Sequence, residues 1–308
     1  MSPAAVPPTP ILHHYKESPY AEKVRTLLGY KRLAWHSVEV PRIAPKPDLT
    51  ALTGGYRKVP VLQIGADVYC DTRLIAEVID RLAPAPSLKP SPGSMGLVLE
   101  NWVDQVLFGK AVGLMFGRHA DVLPDALLAD RAALRGAPLD RAPLKAGVPM
   151  VEQELTLHLA WLEQALADDR PFFNGAHPDA CEFTLYSTLW FARAGQLDFN
   201  AFPRVATWMG RMAGFGKGDP MPMSAEAALD IARDASPEPV SAAQLPDGSG
   251  LRPGQRVRVT PESLGHGTSV EGDLLTLSPL HLSLRHHSER CGTVHIHFPR
   301  LGYRLQLA

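Results

Sequence analysis

One segment near the N-terminus combines a hydroxyl side chain with the start of a helix. Ser18 is of a type preferred at an N-cap, and Pro19 is favoured at the first helical position. Val24, Leu27 and Leu28 follow at helical spacing. The unpaired N–H groups and the dipole at such a helix start stabilise a nearby anion. The alternative is that Ser18 only caps the helix.

The flanking residues predict a small α/β domain. Strand and helix signals follow the order β-α-β-α-β-β-α over about eighty residues, which suits one such domain. A helix capped by Asp71-Thr72 runs through Leu82. The predicted strands are Ile11 to Tyr15, Trp35 to Val40, Val59 to Ile64 and Val68 to Cys70.

The rest of the chain predicts two further units. Signals from 94 to 234 are helical, with 124–149 expected to be partly irregular. After a linker at 236–250, five short alternating strands separated by Gly and Pro turns predict a small β-barrel of the SH3 type. The predicted domains are therefore an α/β domain over 10–83, an all-helical domain over 93–235 and a small β-barrel over 251–308.

Composition excludes several function classes. The chain is 45% hydrophobic and 20% charged with a net charge of −1, which gives no general attraction to nucleic acid or anionic lipid. Neither a signal peptide nor a membrane span is evident, so we expect a cytoplasmic protein without a membrane partner. Cys70, Cys181 and Cys291 form no CxxC pair, which disfavours a disulfide framework and a zinc site.

Four short motifs occur in a fixed order along the first three quarters of the chain. They are Ser18-Pro19-Tyr20-Ala21-Glu22-Lys23-Val24-Arg25, then Lys58-Val59-Pro60-Val61-Leu62, then Asp71-Thr72, and finally Phe172-Phe173-Asn174-Gly175 ahead of a capping box at Asp179. With this order and spacing, the chain resembles the cytosolic glutathione transferase family over roughly residues 10–235. The resemblance implies a thioredoxin-like α/β domain followed by an all-α domain.

The resemblance also implies a reaction. Glutathione would be the co-substrate, and its thiolate would form beside Ser18 and attack an electrophile. Ser at 18 and Ala at 21 leave no thioredoxin-type dithiol, which favours conjugation over thiol exchange. Tyr15 is the competing activator, because some classes of the family carry a catalytic Tyr at the end of the first strand. Here it stands close to the helix and could simply pack beside the site.

Five residues would bind glutathione if the family pattern holds. The backbone of Val59, before a cis Pro60, would pair with the cysteinyl part of the tripeptide. Asp71 and Thr72 would receive the γ-glutamyl carboxylate at a helix start, with Thr in place of the usual Ser. Lys58 could reach the glycyl carboxylate as a point charge, or could equally be a solvated surface lysine.

The helical domain would bind the second substrate, a small hydrophobic electrophile. The candidates are Trp102, Phe108, Met115 and Phe116, although any one of them could instead be a core or dimer contact. The family resemblance also implies a homodimer. The alternative function is a non-catalytic module that keeps the transferase fold for ligand or protein binding.

Six of the twelve histidines follow Gly250. His295 and His297 alternate with apolar residues, so both face one side of a strand. They could bind a metal with Cys291 or His281 as a third ligand. A polar strand face exposed to solvent is the interpretation we favour, and no metal is expected.

Overall fold

The computed structural model describes residues 9–91, 94–240, 248–263 and 268–308. Residues 1–8 and part of the predicted linker at 236–250 lie outside these ranges. The strands are β1 (Ile11–His14), β2 (Ala34–Glu39), β3 (Val61–Ile64), β4 (Asp67–Cys70), β5 (Asp219–Pro222), β6 (Arg256–Pro261), β7 (Val270–Leu277), β8 (His281–Ser288), β9 (Gly292–Pro299) and β10 (Tyr303–Leu307). The helices are α1 (Pro19–Tyr30), α2 (Pro47–Thr53), α3 (Thr72–Leu82), α4 (Gly96–Trp102), α5 (Phe108–Arg118), α6 (Asp125–Arg135), α7 (Arg141–Ala165), α8 (Ala180–Ala194), α9 (Pro203–Ala213) and α10 (Ala225–Asp234).

The ten strands of the described ranges belong to one sheet, in the order β10-β6-β7-β8-β9-β4-β3-β1-β2-β5. At its centre, β1 and β2 are parallel while β3 and β4 complete an antiparallel hairpin, so the predicted thioredoxin-like domain is confirmed. The edge strand β5 was not predicted from the sequence. It is exposed and contains Pro220 and Pro222, residues that cannot donate to a ladder and are therefore confined to sheet edges.

The five C-terminal strands, β6 to β10, are called the C-terminal β region below. Strands β6 to β9 form an antiparallel meander, and β10 returns to pair with β6. The expected SH3-like barrel is not confirmed, because the sheet is not closed: β9 pairs in parallel with β4 instead. The unpaired N–H and C=O groups along an open strand edge are a template for a further strand, and β9 satisfies those of β4.

The C-terminal β region shares a hydrophobic core with the thioredoxin-like domain. Val61 and Val68, on β3 and β4, are fully buried in the same cluster as Leu284 and Ile296, on β8 and β9. Helix α10 covers this cluster with Leu229. A second cluster lies under α1 and α3 and continues into the helical domain. Folding of the C-terminal strands is thereby coupled to burial of the N-terminal sheet.

The helical domain is confirmed, with one difference in detail. A π-helical turn, Val103–Leu107, joins α4 to α5 within the stretch predicted to be helical. The stretch expected to be partly irregular contains α6, the first part of α7 and a non-helical connection between them. The prolines do not prevent this: Pro143 lies in the first turn of α7, where an N–H has no helical partner, and Pro149 is accommodated inside the helix.

A buried ion pair joins the two domains beneath the start of α3. Lys23 of α1 is fully buried, and its Nζ donates to Glu100 Oε1 at 2.7 Å and to Thr72 Oγ1 at 3.1 Å. Thr184 of α8 also donates to Glu100, at 2.9 Å. Burial, the largest single influence, disfavours the ionised carboxyl, but the charge and hydrogen bond of Lys23, the charge of Arg73 and the hydrogen bond of Thr184 together outweigh it and lower the pKa of Glu100.

Ile296→Ala should lower the free energy of unfolding by about 2–5 kcal/mol, because it leaves a cavity in the shared core. The loss should appear in one cooperative thermal transition that includes the thioredoxin-like domain. Leu280→Ala is the matched control, since Leu280 is 71% exposed and its truncation should change stability by less than about 0.5 kcal/mol. Two separate transitions, with only one shifted by Ile296→Ala, would contradict the shared core.

Lys23→Met should destabilise the protein by about 3–5 kcal/mol in urea unfolding, because Glu100 would remain buried without its cation. The double variant Lys23→Met/Glu100→Gln removes both charges and should be more stable than the single variant. The lowered pKa of Glu100 means that the stabilisation is present above the unfolded carboxyl pKa of about 4.3 and is lost as the pH falls through the folded value. A single variant as stable as the wild type would show that the pair is unimportant.

Candidate functional site

Strand register brings three chain segments to one edge of the sheet. His13 pairs with Val61, and Val61 pairs with Cys70 on its other side. One residue further along, Pro60 therefore lies between the end of β1 and Asp71. Helices α1 and α3 begin beside these ends. We call the group formed by Ser18, Val59, Pro60, Asp71 and Thr72 the sheet-edge site.

Ser18 caps α1 as expected. Its Oγ accepts a hydrogen bond from Ala21 N at 3.2 Å, so its own hydroxyl proton remains able to donate. The residue is only 2% exposed. The buried Arg25 fixes the approach to the cap by donating to the carbonyls of Tyr15, at 3.3 Å, and Lys16, at 2.8 Å.

The loop before β3 has the backbone form that the family pattern implies. The Val59-Pro60 peptide bond is cis. Lys58, just before it, donates from Nζ to the carbonyl of Ser263 at 2.6 Å. Burial lowers the pKa of Lys58 to about 8, opposed by the negative charge of Asp71. The C-terminal β region therefore contacts Lys58, the residue expected to bind the glycyl carboxylate of glutathione.

Asp71 caps α3 with an unusual backbone, at φ 79°. Non-glycine residues with positive φ are uncommon and concentrate at functional sites. Its Oδ1 accepts from Arg73 N at 2.9 Å, and its Oδ2 accepts from the hydroxyl of Tyr303 at 3.1 Å. The neighbouring Thr72 Oγ1 accepts from Lys23. Both oxygens of the Asp71 carboxylate are thus engaged within the chain.

Tyr303 is the first residue of β10 and reaches the sheet-edge site from the C-terminal β region. It is 5% exposed, and its ring lies 5.3 Å from that of Phe298. Its hydroxyl is 3.2 Å from that of Tyr56. Burial, with the nearby Asp71 charge, raises the pKa of Tyr303 well above its usual value, so the phenol remains a proton donor.

Tyr15 is directed toward α6. Its hydroxyl accepts from Arg131 Nη2 at 3.2 Å, and Lys46 Nζ lies 5.6 Å from the centre of its ring. Burial, followed by the charge of Arg131, lowers the pKa of Lys46 to about 8. The surroundings of Tyr15 are therefore cationic.

The four candidates for a second-substrate pocket do not lie together. Phe108 packs on Tyr20 at the start of α1, with ring centres 4.6 Å apart. Trp102 contacts His158 of α7, at 5.3 Å between centres. Phe116 is buried in the helical core, and Met115 packs against the same core. Phe108 is the candidate that directly contacts the first turn of α1.

A polar cluster beside Phe108 was not identified from the sequence. Asp104 accepts from Tyr20 OH at 3.4 Å and from Arg73 Nη2 at 3.4 Å. Burial raises the pKa of Asp104 to about 6, opposed by the charge of Lys23. Lys23 belongs to the sequence motif at the start of α1, but no role was predicted for it. Tyr303 lies outside the part of the chain that resembles the family, and no sequence feature indicated that it contributes to the site.

Three C-terminal histidines lie beside carboxylates. His297 Nε2 lies 2.8 Å from Asp67 Oδ1, and His295 Nδ1 lies 3.9 Å from the same atom. His281 pairs with Glu77, and Cys291 is buried beside Ser288. Within the described ranges, no group of three or more His, Cys, Asp and Glu is arranged to hold a metal ion.

None of the described helices is both long and apolar enough to cross a bilayer.

Two family models match the chain. Residues 12–87 match the N-terminal domain of glutathione S-transferase, and residues 125–211 match its C-terminal domain. Among curated proteins, FtsZ-localized protein A of Caulobacter vibrioides is 25% identical over 207 residues, covering 64% of this chain and 83% of that protein.

Solved structures extend the likeness to the whole chain. A GST-like protein from Pseudomonas syringae is 36% identical, covers 97% of this chain and 99% of its own, and superposes with a TM-score of 0.81. A glutathione S-transferase from Rhodospirillum rubrum shares the fold at 20% identity, with 67% and 88% coverage and a TM-score of 0.54. The match to the Pseudomonas protein therefore includes the C-terminal β region. The chain belongs to the glutathione S-transferase family.

Proposed function

We propose that this protein binds glutathione at the sheet-edge site and activates its thiol beside Ser18 for attack on an electrophile. The observation that carries the proposal is the strand register, which aligns the end of β1, just ahead of α1, with Pro60 and with Asp71 at the start of α3. This arrangement supports binding of an extended tripeptide along the edge. Its thiol would lie at one helix start and its γ-glutamyl carboxylate at the other.

Ser18 is the better candidate for thiol activation. Its Oγ accepts from Ala21 and can still donate its proton to a thiolate, which would lower the pKa of the thiol. Tyr15 is less suited by position, because its contact with Arg131 directs its hydroxyl toward α6, whereas Ser18 stands at the start of α1. Free, buried cysteines at 70, 181 and 291 are compatible with a reducing compartment, so we assign the protein to the cytoplasm.

The ends of glutathione would be held by charge and by helix N–H groups. The start of α3 and the Thr72 hydroxyl would receive the γ-glutamyl carboxylate, while Asp71 would attract the adjacent α-ammonium. Lys58 would approach the glycyl carboxylate after exchanging its contact with Ser263. The electrophile would lie against Phe108 and Tyr20 at the start of α1, with Met115 and Phe116 in the helical core behind them.

Ser18→Ala should bind reduced glutathione about as well as the wild type but should lose thiolate formation. The reason is that the hydroxyl stabilises the anion and contributes little to the neutral thiol. We expect a loss of about 10²-fold in kcat/KM with an activated aryl chloride, comparable to removal of one oxyanion donor. Calorimetry measures the binding, and the ultraviolet absorbance of the bound thiolate measures its ionisation.

Ser18→Thr is the matched control, because it keeps both the hydroxyl and the helix cap. It should retain thiolate formation. Equal thiolate absorbance in Ser18→Ala and the wild type would exclude Ser18 as the activator. If Tyr15→Phe then lost the thiolate absorbance, the role would belong to Tyr15.

A non-catalytic binding protein is the second candidate. Two observations favour it: Ser18 is 2% exposed, and Asp71 is already bonded to Tyr303. The matched Caulobacter protein is named for localisation with FtsZ, and that name describes no transferase activity. If the wild type shows no heat with millimolar glutathione, the binding function becomes the better account.

We also propose a homodimer, as is common in the family, through α4 and α7. These helices expose adjoining apolar side chains around the Trp102–His158–Trp161 aromatic series. Val98, Leu157 and Trp161 are each more than half exposed. Such a continuous apolar surface is typical of a protein interface.

Leu157→Glu/Trp161→Glu should convert the dimer to a monomer in sedimentation velocity, because two charges would be buried without partners at each interface copy. Val122→Glu is the control, since Val122 is exposed outside this surface and should leave the mass unchanged. A wild type that sediments as a monomer at all concentrations would refute the dimer.

A further inference from the structure

The hydroxyl of Tyr303 occupies the acceptor that a γ-glutamyl ligand would need. Tyr303 donates to Asp71 Oδ2 at 3.1 Å, while Oδ1 of the same carboxylate accepts from Arg73 N. A γ-glutamyl group carries an α-ammonium, and the carboxylate of Asp71 is its natural partner. An incoming ammonium must therefore displace or share with Tyr303.

The other acids near the sheet-edge site are already paired with cations. Glu100 accepts from Lys23 at 2.7 Å, and Asp104 lies 3.4 Å from Arg73. Asp71 differs from both, since its partner outside its own helix is the neutral phenol of Tyr303. It is thus the carboxylate here that can gain most from a positively charged ligand.

The position of Tyr303 is imposed by the fold rather than by local flexibility. Tyr303 pairs with Pro261 in the β10–β6 ladder, and its ring packs against Phe298. Its hydroxyl also lies 3.2 Å from that of Tyr56, which donates because the Tyr303 proton is used on Asp71. Pairing of β9 with β4 holds the whole C-terminal β region next to Asp71.

We propose that Tyr303 is a specificity-determining residue of the glutathione site, which competes with the α-ammonium of the γ-glutamyl group for Asp71. This inference rests on the proposed function. The C-terminal β region thereby weakens binding of ligands that carry the ammonium. It leaves carboxylate recognition at the start of α3 unchanged, because the Tyr303 hydroxyl donates to Asp71, whereas the carboxylate would be received by Thr72 and the α3 N–H groups.

Calorimetry with two ligands tests the proposal. Reduced glutathione carries the α-ammonium, and glutathione acetylated on that nitrogen does not. Tyr303→Phe keeps the packed ring and removes the hydroxyl. We expect this variant to bind glutathione about tenfold more tightly than the wild type. The reason is that the α-ammonium no longer has to displace the Tyr303 hydroxyl from the charged Asp71 carboxylate. The variant's affinity for the acetylated ligand should be unchanged.

Two further variants control the experiment. Tyr30→Phe removes a buried hydroxyl that has no hydrogen-bond partner among the described residues, near the opposite end of α1, and should behave as the wild type. Asp71→Asn in the Tyr303→Phe background keeps an oxygen for the helix cap but removes the charge. It should abolish the gain in glutathione affinity.

Each other result overturns the proposal in a distinct way. An equal gain for both ligands would mean that the substitution only loosens the site. Equal glutathione affinity in the wild type and Tyr303→Phe would refute the competition while leaving the proposed function intact. Binding of neither ligand by any variant would refute the proposed function, and the inference with it.

Discussion

The parallel pairing of β9 with β4 is the contact on which the rest of the structure depends. It closes the open edge of the thioredoxin-like sheet, where unpaired backbone groups would otherwise remain. It also brings the apolar faces of β8 and β9 over the same core as β3 and β4. Because β4 leads directly into Asp71, the pairing places the C-terminal β region beside the sheet-edge site. The extra strands therefore have both a structural and a functional consequence.

The polar groups at this edge are organised by a few buried charges. Lys23 and Glu100 form an ion pair that connects α1 to the helical domain and also reaches the Thr72 hydroxyl. Asp71 differs from Glu100, because it accepts a hydrogen bond from the neutral phenol of Tyr303. A carboxylate that is not hydrogen-bonded to a cation remains able to accept a bond from one. This contrast is what makes the site suited to an ammonium-bearing ligand and makes Tyr303 the competitor.

Local sequence signals predicted the parts of the site that depend on local backbone chemistry. Ser18 and Asp71 cap the helices that the residue types indicated, and the Val59-Pro60 bond has the cis form implied by the family motif. Alternation located the five C-terminal strands but not their partner, because a strand pattern does not specify which edge it joins. The Tyr303–Asp71 contact spans residues far apart in sequence and follows from that pairing. It could not have been predicted without the fold.

Hydrogen–deuterium exchange of the wild type, with and without saturating reduced glutathione, tests the account most directly. The amides at the start of α3, from Thr72 onward, should exchange more slowly when the γ-glutamyl carboxylate binds there. The amides of β10 should exchange faster, because the ammonium displaces the Tyr303 hydroxyl from Asp71 and loosens that strand. Slower exchange at α3 together with slower or unchanged exchange in β10 would contradict the competition. No change at either position would contradict a glutathione site at this edge of the sheet.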